Sequence, residues 1–170
     1  MTPAGHLSVS YISGRLSKNI YLLPFIVGGL LPDIDFLFIF FKWFNQAHRV
    51  ISHNLLFIFI VALSGSFLSS YKSRKIVALS LFLGGFLHLM IDSCMDNNSS
   101  NGIGIAIFWP FHDKFFSPFN IYHAASADFG WNEPIRMFKA LAPLMIYEIA
   151  FYILAIFILI KQKAKQSTLH

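Results

Sequence analysis

Residues 76–92 read IVALSLFLGGFLHLMID, and this stretch decides the fold class. Ser80 is its one polar side chain before His88. An apolar run approaching about 20 residues suits a helix crossing the hydrocarbon core of a bilayer. The run then ends on His88 and Asp92, whose spacing of four puts both side chains on one helical face, one turn apart, where they can grip one ion. An ionisable group in a membrane segment costs a few kcal/mol unless it is paired, so the pair is a candidate functional site. The plainer reading of the same spacing is a histidine capped by a carboxylate at a helix end.

Working outward, the whole chain fits the membrane reading. Its 170 residues are 56% hydrophobic and 12% charged, where a soluble domain carries about 25% charged residues. The 20 phenylalanines fall in long apolar runs. The expectation is one all-α, polytopic membrane domain over residues 1–170, with about four spanning or partly spanning helices, a short N-terminal helix and an interfacial helix. The other apolar segments are 20–31, closed by Pro32; 53–70, with Ser52 as its N-cap; and 141–160. Residues 36–44, FLFIFFKWF, read as the interfacial helix, and 96–139 as a polar, irregular stretch. A single cysteine, Cys94, excludes an internal disulfide and a cysteine-cluster metal site.

Lysines and arginines orient the spans, because cytoplasmic loops hold an excess of positive charge. Lys72, Arg74 and Lys75 lie between the second and third spans, and Lys161, Lys163 and Lys165 follow the last. Arg15 and Lys18 fall at the tip of a hairpin whose arms run from about His6 and back to Asp33. With these on the cytoplasmic side, His6, Asp33, Asp35, His53, His88 and Asp92 share the outer end. The formal charge of +5 is thereby explained without nucleic acid. Hairpin arms of about 12 residues reach roughly 18 Å, short of the ~30 Å core, so the shared cluster sits somewhat inside the bilayer.

Three more segments bring candidates to that end. Pro32-Asp33-Ile34-Asp35 supplies two carboxylates after a helix stop, where an extended backbone would point them in opposite directions; aspartates there also serve as turn formers. His48 and His53, in HRVISHN, are spaced wrongly for one straight helix, which puts His48 in the turn before Ser52. His6 is recommended by the hairpin alone. Mixed His/Asp donors suit zinc, manganese or iron, and more than four of them suggest two ions bridged by a carboxylate.

Gly5-His6, Leu31-Pro32-Asp33-Ile34-Asp35, His48-Arg49 with Ser52-His53, Gly85 through His88 to Asp92, and Trp109-Pro110-Phe111 resemble, in that order, the motifs of the YdjM-type inner-membrane proteins, described as metal-dependent hydrolases. That family is in turn similar to the all-helical zinc-dependent phospholipases C. The resemblance implies a bacterial inner-membrane location, and it implies metal-ligand roles for His6, Asp35, His53, His88 and Asp92, with Asp33 and His48 close behind.

The chemistry such a centre suits is hydrolysis of a phosphoester on a lipid-linked or amphiphilic substrate. Arg49 is placed to hold a phosphate bidentately or to anchor a lipid headgroup, and Asp33 to act as general base or to orient a ligand histidine. His112, Asp113 and His123 are loop residues that either close over a substrate or lie on the surface. Glu148 either reaches the cluster or finds another partner within its span. The pairs Gly28-Gly29 and Gly84-Gly85 allow close helix packing. A metal or proton transporter and a membrane scaffold with a structural metal site are the competing classes. Transport needs polar groups through the membrane depth, yet the cytoplasmic halves of the spans are almost wholly apolar.

Overall fold

The computed structural model describes residues 1–38, 40–41, 43–94, 104–118 and 134–167. In chain order these form α1 (Pro3–Leu16), α2 (Leu22–Leu30), a 3-10 helix (Leu31–Phe38), a single turn α3 (Phe44–Ala47), α4 (Leu55–Phe67), α5 (Arg74–Cys94) and α6 (Pro134–Ser167). Among the described residues the one extended pairing is an isolated antiparallel bridge between Ile105 and Phe116. The fold is therefore all-helical, as expected.

Helix α5 is the axis of the molecule. Helix α2 crosses it where neither backbone carries a side chain: a Cβ on Gly84 would lie 2.0 Å from the Phe25 carbonyl oxygen, and one on Gly28 would lie 2.1 Å from that of Leu81. Glycine is thus required at the crossing by contact distance, as the paired glycines suggest. Helix α4 packs on α5, α1 pairs with α2 as the expected hairpin, and α6 lies along α1. Ile58, Leu89, Ile105 and Ile107 form the buried apolar core, so the segment after α5 folds back to close it. Outward-facing side chains on α4 and α6, among them Phe59, Leu63, Phe67, Ile153 and Phe157, are exposed and apolar, as a lipid-facing surface requires.

Two helical stretches are long and apolar enough to cross a membrane, Arg74–Cys94 and Met145–Ser167. Leu55–Phe67 is a shorter apolar helix, about 20 Å long at 1.5 Å per residue. Arg74 begins α5 and His88 lies fourteen residues on, about 21 Å away, so the basic junction and the candidate site occupy opposite ends of that helix.

Four local expectations are corrected. The segment 20–31 forms a helix only from Leu22 to Leu30, and Pro32 does not end helical structure: it sits in the first turn of the 3-10 helix, where a missing N–H leaves no bond unmade. Asp33 and Asp35 therefore lie on a tight helix, both buried, and not on extended backbone. The N-cap of α4 is Asn54, not Ser52; its side-chain oxygen accepts from the Phe57 N–H at 2.8 Å while its amide donates to the carbonyls of Val50 and Ile51. The 36–44 segment is not one interfacial helix, because the 3-10 helix ends at Phe38 and α3 begins at Phe44. Phe38, Phe41 and Trp43 stack between them as an exposed aromatic cluster.

Candidate metal centre

Four side chains from three segments converge at the C-terminal end of α5. Asp33 comes from the 3-10 helix, His53 from the loop capped by Asn54, and His88 and Asp92 from α5; all four are buried. His53 Nε2 lies 3.2 Å from His88 Nε2, and each of these nitrogens lies 3.4 Å from Asp92 Oδ2. Asp33 Oδ1 is 3.6 Å from His53 Nε2 and 3.7 Å from His88 Nε2. A tetrahedral ion bound at 2.0–2.2 Å separates its ligand atoms by about 3.3–3.6 Å. The observed edges match that figure, and the residue types are borderline donors that zinc accepts.

Hydrogen bonds behind the two imidazoles decide where their lone pairs point. His88 Nδ1 is 2.8 Å from the Gly29 carbonyl oxygen, which only accepts, so Nδ1 carries the hydrogen and Nε2 presents a lone pair. The glycine crossing of α2 and α5 is what brings that carbonyl within reach. Ser52 Oγ donates to Asp35 Oδ2 at 2.9 Å and lies 3.0 Å from His53 Nδ1, so this nitrogen donates to the hydroxyl and Nε2 again faces the cluster. Burial lowers the His53 imidazole, but Asp33 and Asp92 outweigh it and raise it to about 9, so without an ion its Nε2 carries a proton. With that proton displaced, two nitrogen lone pairs and two carboxylate oxygens would face one ion. A proton on one Nε2 serves one or two of these contacts; a divalent ion serves all four. Asp33 Oδ2, also buried, has no hydrogen-bond partner among the described residues.

The remaining expected residues stand around this group. His6 Nε2 bonds Asp92 Oδ1 at 3.0 Å and its ring stacks on His88 at 3.7 Å, so it holds the carboxylate whose other oxygen faces the four. The Met1 amino group meets the same Oδ1 at 2.9 Å. Asp35, His48 and His53 form a second group of close donor atoms, on the Nδ1 side of His53. His48 Nδ1 lies 2.9 Å from Asp35 Oδ2. Burial pushes the His48 imidazole below its usual value even with Asp35 raising it; Nδ1 donates, because the carboxylate oxygen only accepts. Asp33 is held below the usual carboxylate range: burial raises it, but the neighbouring His53 and His88 outweigh burial. Arg49 is buried with its backbone at φ +67°, and its carbonyl accepts from the Ala106 N–H at 3.1 Å. That bond ties the loop after α5 to the His48–His53 segment.

The order of the first four motifs now has a spatial meaning, since His6, Asp33, Asp35, His48, Ser52, His53, His88 and Asp92 meet in one buried cluster. The model of the YdjM inner membrane protein family matches residues 1–165. The chain belongs to that family. A relative, the inner membrane protein YbcI of Escherichia coli (strain K12), is 31% identical over 105 residues, which cover 59% of this chain and 60% of the relative. The chain thus spans about three-fifths of the length of the curated relative it matches. No solved structure matches it.

In this YdjM-family chain two supporting residues carry roles that their sequence context hides. Ser52 looks like a cap by its position before an apolar run, and Gly29 looks like packing; neither type of residue advertises a bond to a ligand histidine. Glu148, open in the sequence between the cluster and another partner, takes the second course. It is fully buried in α6 and accepts from the Thr2 N–H at 2.6 Å and from the hydroxyls of Thr2 and Tyr152. It fastens α6 to the start of α1 beside Gly5, where a Cβ would lie 2.6 Å from the Glu148 carboxyl carbon. His112 accepts from the Lys114 N–H in an exposed local turn, away from the pocket. His123 lies outside the described residues.

Proposed function

We propose that the chain is a membrane-embedded, metal-dependent hydrolase acting on a phosphoester of a lipid-linked or amphiphilic substrate at the outer face of the inner membrane. The observation that carries this reading is the buried set of Asp33, His53, His88 and Asp92, three of which can hold an ion and leave a position for water, with Nδ1 of each imidazole hydrogen-bonded behind the ring. Zinc fits the donors best, with manganese or iron next. When bound, such an ion supplies Lewis acidity and lowers the pKa of water toward neutrality.

The chain's own residues supply positioning and proton handling. Asp33 uses Oδ1 toward the cluster and keeps Oδ2 as a buried oxygen placed to take a proton. Arg49, buried and next to His48 in the chain, brings a guanidinium suited to a phosphate. The exposed aromatics Phe38, Phe41 and Trp43 flank the 3-10 helix that carries Asp33, which suits a site at headgroup level. Transport is less well supported. Among the described residues, the buried ionisable side chains Asp33, Asp35, His6, His48, His53, His88 and Asp92 gather near the C-terminal end of α5, and they form no path through its depth.

The test is an activity screen of the purified, zinc-loaded protein in lipid–detergent micelles against phosphatidyl and isoprenoid phosphoesters. Release of the headgroup or phosphate is expected, with at least a hundredfold loss in an Asp33→Asn variant whose metal content is measured alongside. A metal-loaded chain inert toward every ester would remove the enzyme reading in favour of a structural metal site.

A further inference from the structure

We propose that Asp35, Ser52 and His48 are a hydrogen-bond relay that fixes His53, and not a second metal site, so that the chain holds a single ion. The inference rests on the centre described above and deepens it by assigning its stoichiometry and a positioning role to Ser52 and Asp35.

Distances separate the two groups of donors. In the four-residue group four of the five edges between donor atoms of His53, His88, Asp33 and Asp92 run from 3.4 to 3.7 Å, longer than hydrogen bonds and close to the spacing of atoms that share an ion, and the fifth, between the two Nε2 atoms, is 3.2 Å. In the second group His48 Nδ1 to Asp35 Oδ2, Ser52 Oγ to Asp35 Oδ2 and Ser52 Oγ to His53 Nδ1 are 2.9, 2.9 and 3.0 Å, the spacing of atoms that share a hydrogen. His53 Nδ1 itself is 3.8 Å from Asp35 Oδ2, with the serine hydroxyl bonded to both.

Hydrogen counting agrees. Ser52 has one hydroxyl hydrogen, given to Asp35, and its oxygen receives the Nδ1 hydrogen of His53. An ion in the second group would need the Nδ1 lone pair while the first already uses Nε2, leaving the imidazole with no hydrogen at all. Asp35 Oδ2 accepts from both His48 and Ser52, so its lone pairs are taken. Asp35 Oδ1 is buried without a hydrogen-bond partner among the described residues, and it is the atom through which a second ion would have to bind. Asp35 thus acts on the ligand His53 through Ser52, as partners behind a ligand histidine commonly do, and removal of such partners weakens metal binding by 10- to 100-fold.

The experiment is a zinc titration of the full chain in detergent after chelator stripping, with stoichiometry from elemental analysis and affinity from a competing indicator. The native chain is expected to bind one zinc. Ser52→Ala and Asp35→Asn should each still bind one, about 10- to 100-fold more weakly, and Ser52→Thr should recover the native value to within a few-fold. With cobalt in place of zinc, the visible absorption of the native site should shift in Ser52→Ala and return in Ser52→Thr. Two zinc ions per native chain, falling to one in Asp35→Asn, would overturn the proposal, as would native affinity in Ser52→Ala. The native stoichiometry decides even if Ser52→Ala fails to fold. A chain that binds no zinc overturns the centre and the relay together, whereas one zinc without hydrolysis leaves the relay standing and removes only the enzyme reading.

Discussion

His88 uses both faces of one ring. Its Nδ1 hydrogen is committed to a backbone carbonyl of another helix, and its Nε2 lone pair is committed to the cluster. Such a residue is expensive in an apolar helix unless both ends are satisfied. Asp92, one turn on, is likewise divided: Oδ1 is held by His6 and the Met1 amine, and Oδ2 faces the two imidazoles. Replacing both residues removes half of the four donors. A His88→Ala, Asp92→Ala double variant should therefore lose stoichiometric metal, read by elemental analysis, while far-ultraviolet circular dichroism still reports a helical chain. Full metal content in that variant would place the ion elsewhere.

Helix packing delivers the second bond to His88. The Gly29 carbonyl reaches Nδ1 because Gly28 and Gly84 let α2 and α5 approach to backbone contact. A Gly84→Ala methyl meets the Phe25 carbonyl, which cannot move without shifting α2. We expect a loss of about 1–3 kcal/mol of stability, together with weaker zinc binding as the carbonyl leaves the imidazole. Gly65 in α4 is the control, because its added methyl would meet only the end of the Leu81 side chain. Gly65→Ala should be neutral or stabilising by up to about 1 kcal/mol, since alanine is the better helix former. Thermal melts of the two variants in one detergent compare them directly.

For the whole molecule, the ion would join the 3-10 helix, the loop before α4 and α5 at one point. Binding to the folded state alone stabilises by about 2.7 kcal/mol when free metal is 100 times Kd. Chelation should accordingly lower the melting temperature of the native chain, and the His88→Ala, Asp92→Ala variant should not respond to chelator. Topology is decided at the same scale. Helix α5 separates the basic junction near Lys72 from the pocket end, so reporters fused at Lys72 and Asn98 should report opposite sides of the membrane, cytoplasmic and outer respectively. The same side for both would mean that α5 does not cross.

The sequence by itself determined the fold class and which residues are candidates for the site. An apolar run long enough to span, ending on a histidine and a carboxylate four apart, is costly in any arrangement that leaves those groups unpaired, so spacing makes His88 and Asp92 legible as a pair, while charge topology and the family resemblance bring His6, Asp33, Asp35, His48 and His53 to the same end. The hairpin follows from where the charges fall. What tertiary structure decided was which atoms face one another. Pro32 opens a 3-10 helix where its position after an apolar run suggests a helix stop, and that tight turn aims Asp33 at the four donors and Asp35 at Ser52. Ser52 yields the cap to Asn54 because its hydroxyl is bonded to Asp35 and to the ring of His53. A ligand and a positioning residue are distinguished by a few tenths of an ångström between donor atoms, and those separations depend on how closely two glycine-bearing helices pack, which no local pattern of residues encodes.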